Sequence, residues 1–278
     1  MNYRHGYHAG NFADVIKHVA LVRVLLHLRR KDTPFAVVDS HAGRGLYDLS
    51  GEQAGKTGEA QGGIARLADM GGDLPESLAA YLALVKDSAG YPGSPLIAAK
   101  LLRPQDRLTA IEKHPEEAAL LKQALAPFRN AAVEQGDGYA RAVKLLPPPA
   151  RRGLVLMDPP FEAVDEFAAL ARAALAAHRK FATGIYLLWY PVKSAGDADR
   201  FLGEVIGGGV DKALRLEIAL TPGSGGAGDG RLARAGLLVL NPPYGFADEM
   251  GAVAALLAPR LGRDGPADIR LDWLAGAE

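Results

Sequence analysis

An α/β fold with a doubly wound, mostly parallel, seven-stranded sheet is predicted by three observations on this 278-residue chain. From about residue 108 onward, apolar runs of strand length alternate with helical periodicity, as in parallel sheets covered by helices. Acidic residues close four of these runs, at Asp39, Glu112, Asp137 and Asp158, at the strand ends where open α/β sheets bind ligands. The gap between the first two strands is too long to be structureless, so it predicts a helical insertion at about 46–105.

Each element has its own signal. Val15, Ile16, Val19, Val22, Leu25 and Leu26 recur at helical spacing and predict a helix over about 13–30, ended by Thr33-Pro34. Phe35 to Asp39 is a buried strand, followed by the glycine-rich turn Ser40-His41-Ala42-Gly43-Arg44-Gly45. Inside the insertion, Leu78, Tyr81, Leu82 and Val85 mark a helix over 75–86. The turn at 90–95 leads into a helix at 96–102, with Ser94 as N-cap and Pro95 at the first position. Strands at 108–112, 132–135, 154–157 and 184–189 then alternate with helices at 115–126, 139–146, 162–178 and about 197–206. Strands at 213–220 and 236–240 flank a glycine-rich loop at 222–230, expected to be mobile. A helix near 250–261 and a short strand at 269–273 close the chain.

Composition narrows the class. A chain of this length that is 49% hydrophobic can bury a large core, here as one domain over 1–278 with the insertion as its subdomain. The absence of cysteine fits a reducing, cytoplasmic setting. No apolar run approaches the ~20 residues of a membrane span, and the first residues lack a signal peptide's apolar core. Without cysteine, and without a His-x-x-x-His pair on a helix, no zinc or other metal site is expected. Net charge is zero, but its distribution is uneven. Residues 1–31 hold Arg4, Lys17, Arg23, Arg29, Arg30 and Lys31 against Asp14 alone, with four of the seven histidines. Arg151-Arg152 and Arg179-Lys180 are two further basic groups. Taken singly they read as solvated surface; together they point to a nucleic-acid substrate.

The chemistry centres on Asp158-Pro159-Pro160-Phe161, directly after the apolar strand at 154–157. Prolines donate no N–H and end the ladder, so the Asp158 carboxylate and the Pro159 carbonyl face open space. The amino nitrogen of adenine is a poor nucleophile, because its lone pair is delocalised into the ring. Two acceptors holding its N–H bonds make it more tetrahedral and aim the lone pair at an electrophilic methyl group. Phe161 can stack on a base turned out of its helix. Glu112 is placed for ribose hydroxyls, and Asp137-Gly138 for an adenine amino group. A nicotinamide dehydrogenase fits poorly, because only Gly43-x-Gly45 of its glycine pattern is present. Gly51 to Thr57 is one residue short of a phosphate-binding loop and follows no strand. Asn241-Pro242-Pro243-Tyr244 matches the amino-group motif as well as 158–161 does. An antiparallel seventh strand would turn it away from the cleft and leave Asp158 as the catalytic acid.

His8-Ala9-Gly10-Asn11, Ala13-Asp14-Val15 and Lys17-His18 open a series of motifs that runs through most of the chain. It continues with Asp39, His41-Ala42-Gly43, Tyr91-Pro92-Gly93-Ser94-Pro95, Glu112, His114-Pro115 and Asp137-Gly138. Arg151 to Leu154, Asp158-Pro159-Pro160, Phe181 to Gly184, Leu188 to Pro191 and Asn241-Pro242-Pro243 complete it. In this order the series resembles the RlmJ-type 23S ribosomal RNA adenine N6-methyltransferases. The resemblance implies a Rossmann-like class I methyltransferase fold and S-adenosyl-L-methionine as methyl donor. It implies a specific adenine of protein-poor 23S rRNA as acceptor, and a monomer. It assigns cofactor binding to His18, His41, Ser94, Glu112, Asp137 and Gly138, and catalysis to Asp158 with Pro159 and Phe161. Tyr3 is similar to a residue that touches RNA, and Arg4 and Lys17 are expected beside it. Phe161 stands where tyrosine is more usual; stacking needs the ring and not the hydroxyl. A DNA adenine N6-methyltransferase and a non-enzymatic RNA-binding protein are the competing readings.

Overall fold

A computed structural model describes residues 8–49, 58–221 and 232–276. Tyr3, Arg4, the phosphate-loop-like segment 51–57 and the glycine-rich loop 222–230 lie outside the described residues. The order is α1 (Phe12–Arg29), β1 (Ala36–Asp39), β2 (Leu46–Tyr47), α2 (Glu76–Lys86), β3 (Tyr91–Pro92), α3 (Ser94–Leu101), β4 (Arg107–Glu112), α4 (Pro115–Leu125) and β5 (Ala131–Gln135). It continues through α5 (Gly138–Lys144), β6 (Gly153–Met157), α6 (Glu166–Lys180), β7 (Ile185–Pro191), α7 (Ala195–Gly207), β8 (Ala213–Ala219), β9 (Arg234–Leu240), α8 (Phe246–Leu261) and β10 (Asp268–Ala275). Between β1 and β4 the chain also carries two single 3-10 turns, Glu59–Gly62 and Ile64–Leu67, and the β2–β3 pair.

The main sheet runs β10-β8-β9-β7-β6-β1-β4-β5. Pairing is parallel from β5 through β4, β1 and β6 to β7. Strand β9 runs antiparallel between β7 and β8. The sheet has eight strands where seven were expected, because β10 adds antiparallel to the outer edge of β8. Alternation along each strand feeds two cores. Val37, Leu108, Leu154 and Leu187 face α1, α3, α4 and α8; Val38, Ile111, Val155 and Leu188 face α5, α6 and α7.

Helix α1 is the central element of the first layer. It packs on α2, α3 and α8 as well as on β6, β7 and β9. That explains why it is buried on nearly all sides rather than along one stripe. Helix α6 begins four residues later than its periodicity predicts. Phe161 follows two prolines at φ +50°, a left-handed backbone that cannot enter a helix directly.

The reversed direction of β9 separates the two Pro-Pro motifs. Asp158 follows β6 at one end of the sheet, and Asn241 follows β9 at the other. The Asn241 backbone N–H donates to the Lys212 carbonyl at 3.0 Å. Its side-chain amide donates to the carbonyls of Ala182 and Gly184, at 2.8 and 2.7 Å. Its φ of +51° is one that asparagine tolerates better than most residues. Asn241→Ala is expected to lower stability by about 2 kcal/mol, for two lost hydrogen bonds and added backbone strain. Asn241→Gly, which relieves the strain alone, should fall between variant and wild type. Urea unfolding that gives three equal stabilities would refute this role.

Candidate active site

A cleft of about 720 Å³ opens at the carboxyl ends of β1, β4, β5 and β6. The turns that follow these strands line it, together with α1 and the start of α3. The parallel register of the central strands puts those turns side by side, so distant parts of the sequence meet there.

One wall is a buried charge cluster. Lys17 Nζ donates to Asp14 Oδ1 at 2.7 Å and to Asp158 Oδ2 at 2.5 Å. Asp14 is 2% exposed, Lys17 4% and Asp158 16%, so the ammonium is shielded while the acid it holds still reaches the cleft. Burial alone would lower the Lys17 pKa; the two carboxylates outweigh it and hold the group well above its ordinary range. Lys17 therefore stays charged. The second Asp14 oxygen accepts the Gly10 N–H at 2.9 Å. Asn11 caps α1 through the Asp14 N–H and donates to Glu59 Oε2 at 3.0 Å. His8 bonds the other Glu59 oxygen at 2.8 Å.

The opposite wall is built on backbone turns. Glu112 accepts the N–H of Gly43 at 2.9 Å and of His114 at 2.7 Å, one on each oxygen. Burial raises its pKa and these donors oppose the rise. Each oxygen keeps a further lone pair for a hydroxyl. His41 Nδ1 lies 2.7 Å from Ser40 Oγ, and desolvation pushes its pKa down to about 4, so the imidazole is neutral. Asp137 caps α5 through the Ala140 N–H at 3.1 Å, with Lys113 3.6 Å away. A Cβ at Gly138 would meet the Ser40 carbonyl at 2.0 Å and His41 Nε2 at 2.9 Å, so only glycine fits. His18 Nδ1 lies 2.8 Å from the Tyr91 hydroxyl, itself 3.0 Å from that of Tyr81.

Ser94 Oγ donates to Asp39 Oδ2 at 2.7 Å. Asp39 is 1% exposed, and it is the one strand-end acid that does not line the cleft. Its other oxygen is buried with no hydrogen-bond partner among the described residues. Past Asp158, the Phe161 ring packs edge-on against Phe167 at 4.8 Å and Trp189 at 5.7 Å. Residues from Glu162 to Glu166 complete this rim.

All six residues expected at the cofactor, and Asp158, Pro159 and Phe161, line this one cleft. Lys17 also lines the cleft, but its ammonium is buried and engaged by two carboxylates rather than free for a phosphate. Tyr3 and Arg4 lie outside the described residues. Sequence reasoning missed Asp14, Asn11 and Trp189, which also line the cleft. The available signal was an acid and a lysine spaced i,i+3 in an otherwise apolar helix, a pair that must be mutually satisfied when buried.

A family model described as Ribosomal RNA large subunit methyltransferase D, RlmJ, matches residues 32–275. The chain belongs to the RlmJ family. It is 39% identical to the Ribosomal RNA large subunit methyltransferase J of Escherichia coli K12, over 99% of both chains. It is 37% identical to the protein of that name from Haemophilus influenzae, again over 99% of each. A crystal structure of a Legionella pneumophila protein superposes with a TM-score of 0.86 at 34% identity, covering 95% of this chain and 98% of that one. The eight-stranded RlmJ sheet described above is the mixed α/β architecture that the residue pattern predicts, with β10 as its addition.

Two outcomes test the buried charges. Lys17→Met leaves two carboxylates buried without their counter-charge, so stability should fall by about 3–5 kcal/mol. A urea midpoint within error of wild type would contradict the cluster. Burial raises the Asp39 pKa to about 7; the Ser94 hydrogen bond opposes it, Asp158 adds to it, and Lys17 and the His41 backbone oppose it. Between the usual carboxylate range and pH 7 the folded state then binds a proton that the unfolded state has released. This contribution to stability is present at low pH and is lost as pH rises through about 7. Asp39→Asn should flatten melting temperature between pH 5 and about pH 8. An unchanged pH slope would place the Asp39 titration elsewhere.

Proposed function

We propose that this chain transfers a methyl group from S-adenosyl-L-methionine to N6 of one adenine in 23S rRNA. On this reading it acts as a cytoplasmic monomer on protein-poor RNA, without a metal. The observation that carries the reading is Asp158, an acceptor held by Lys17 at 2.5 Å and followed by Pro159-Pro160-Phe161, in the same cleft as Glu112 and His41. Two relatives named as large-subunit ribosomal RNA methyltransferases match over 99% of their length, which supports RNA as the acceptor.

The residues present fit the cofactor. Glu112 retains lone pairs for ribose hydroxyls, Asp137 lies beside the glycine that no side chain can replace, and neutral His41 can take either hydrogen-bonding role. Ser94 and His18 line the same pocket. The cofactor supplies an electrophilic methyl group on a sulfonium. Asp158 and the Pro159 carbonyl accept the two N–H bonds of the target amino group, which draws its lone pair out of the ring. With the cofactor held by Glu112, His41 and Asp137, its methyl group would pass to that nitrogen and the carbon–sulfur electron pair would stay with sulfur. The surplus proton on nitrogen passes to Asp158 and then to water. Lys17 holds the Asp158 carboxylate in place at 2.5 Å, and Phe161 provides a ring face for the extruded base. Catalysis is mainly positioning and preorganised charge.

Single-turnover assays with labelled cofactor test this on protein-free 23S rRNA, duplex DNA and no nucleic acid. Mass mapping of the modified adenine adds the site. Methyl transfer to duplex DNA alone would favour a DNA enzyme, and transfer to neither would favour a binding protein. Asp158→Ala should abolish transfer with cofactor affinity largely kept, whereas Asn241→Ala should leave the chemical step unchanged. Reversal of that pair would overturn the catalytic assignment. Glu112→Ala should weaken cofactor binding by roughly 1.5–3 kcal/mol, the worth of a hydrogen bond to a charged group. Equal affinities by calorimetry would remove Glu112 from the site.

A further inference from the structure

Two basic groups far apart in sequence converge at the amino end of the sheet, on the side away from the cleft. Arg29 and Lys31 leave the end of α1, and Arg151 and Arg152 precede β6. The parallel register pairs Ala36 with both Arg107 and Gly153, so the starts of β4, β1 and β6 lie next to each other. The Arg103 and Arg152 guanidinium groups sit 5.6 and 5.9 Å from the Phe35 ring centroid. Both donate to the Thr33 carbonyl, at 3.2 and 3.0 Å.

These charges are not locally neutralised. Asp106 is engaged by Arg103, Glu76 lies 3.7 Å from Arg30, and Asp32 is the further acid of this region. Arg29, Lys31, Arg107 and Arg151 are exposed and have no ion-pair partner among the described residues. His27 senses the excess: burial first, then Arg23, Arg30, Arg152 and Lys31, lower its pKa. Helix dipoles account for a cation in the last turn of α1, but not for Arg107, Arg151 and Arg152 at strand starts. Arg151 also holds φ +47°, a backbone where glycine is cheaper, yet the position carries an exposed cation. In a chain of zero net charge, so local an excess is a segregated field.

The geometry points to this face as a second contact for RNA, which holds phosphates of the substrate's backbone away from the target base. The inference rests on the RNA-acceptor reading above and adds a docking surface to it. From Arg152 to Asp158 is six residues of nearly extended chain, about 20 Å at ~3.3 Å per residue. A folded RNA longer than this separation reaches both places around the sheet edge.

The test uses the full chain with Lys31→Gln and Arg151→Gln together, both exposed and outside the cleft. Binding to a protein-free 23S rRNA transcript is measured across a salt series, beside a short adenine-centred oligoribonucleotide. Two lost phosphate contacts should reduce the log–log salt slope by about 1.4 and weaken transcript affinity about 25-fold at ~0.1 M salt. Affinity for the short oligonucleotide and single-turnover methyl transfer at saturating RNA should not change, and Lys31→Arg should keep the wild-type slope. An unaltered slope in a variant with the wild-type melting temperature would overturn the second contact. Wild-type protein that binds the transcript without methylating it would sink the function reading and leave the slope comparison decisive. Wild-type protein that binds no RNA would sink both.

Discussion

The Lys17 ammonium between Asp14 and Asp158 is the constraint around which this structure is arranged. A charge this deep is tolerated only when paired, and removal of either partner leaves an uncompensated ion in a low-dielectric interior. The pairing therefore fixes the rotation of α1 and its height against the end of β6. It also orders what precedes the helix. Asp14 reaches back to Gly10, and Asn11 reaches Glu59, so one ion cluster ties the N-terminal turn, the first 3-10 turn and the central sheet together. In the proposed reaction the same ammonium fixes the position of the acceptor. Structural necessity and proposed chemistry thus fall on one contact.

The cleft owes its shape to the direction of the strands. Four parallel strands deliver their following turns to one end of the sheet, and most of the polar side chains that line the cleft come from those turns or from α1. The reversed β9 sends an almost identical Pro-Pro motif to the other end, where Asn241 bonds three backbone carbonyls. The motif's residues are compatible with either use, and topology decides between them.

Much of this was legible beforehand. The apolar runs at 154–157 and 184–189 read as buried strands, and successive strand-end acids announced a shared binding edge. Periodicity located α2, α4 and α7 because each has solvent on one side. It also placed α1 within a residue at each end, although that helix is buried on nearly all sides. Only the i,i+3 spacing from Asp14 distinguished Lys17 from a surface lysine; its second partner is supplied by tertiary packing and lies 141 residues away. The late start of α6 followed from the left-handed Phe161, a conformation that no residue type at that position advertises. Asp39 read as a cleft-facing acid because strand ends predict an edge but not which side chains reach the space beyond it.

Helix α1 is enclosed by partners that come from the far end of the chain, with Lys17 on Asp158 and Arg23 on Glu249. On a ribosome this helix emerges first and its enclosure last. At about 5–20 residues per second, the interval between residues 29 and 249 is roughly 10–40 s. During it α2, α3 and β6 come into reach of α1, but the surfaces of β9 and α8, and the Glu249 partner of Arg23, are still missing. A helix buried on nearly all sides in the finished protein is therefore only partly covered in the nascent one, and the proposed acceptor stays without its counter-ion until α1 docks.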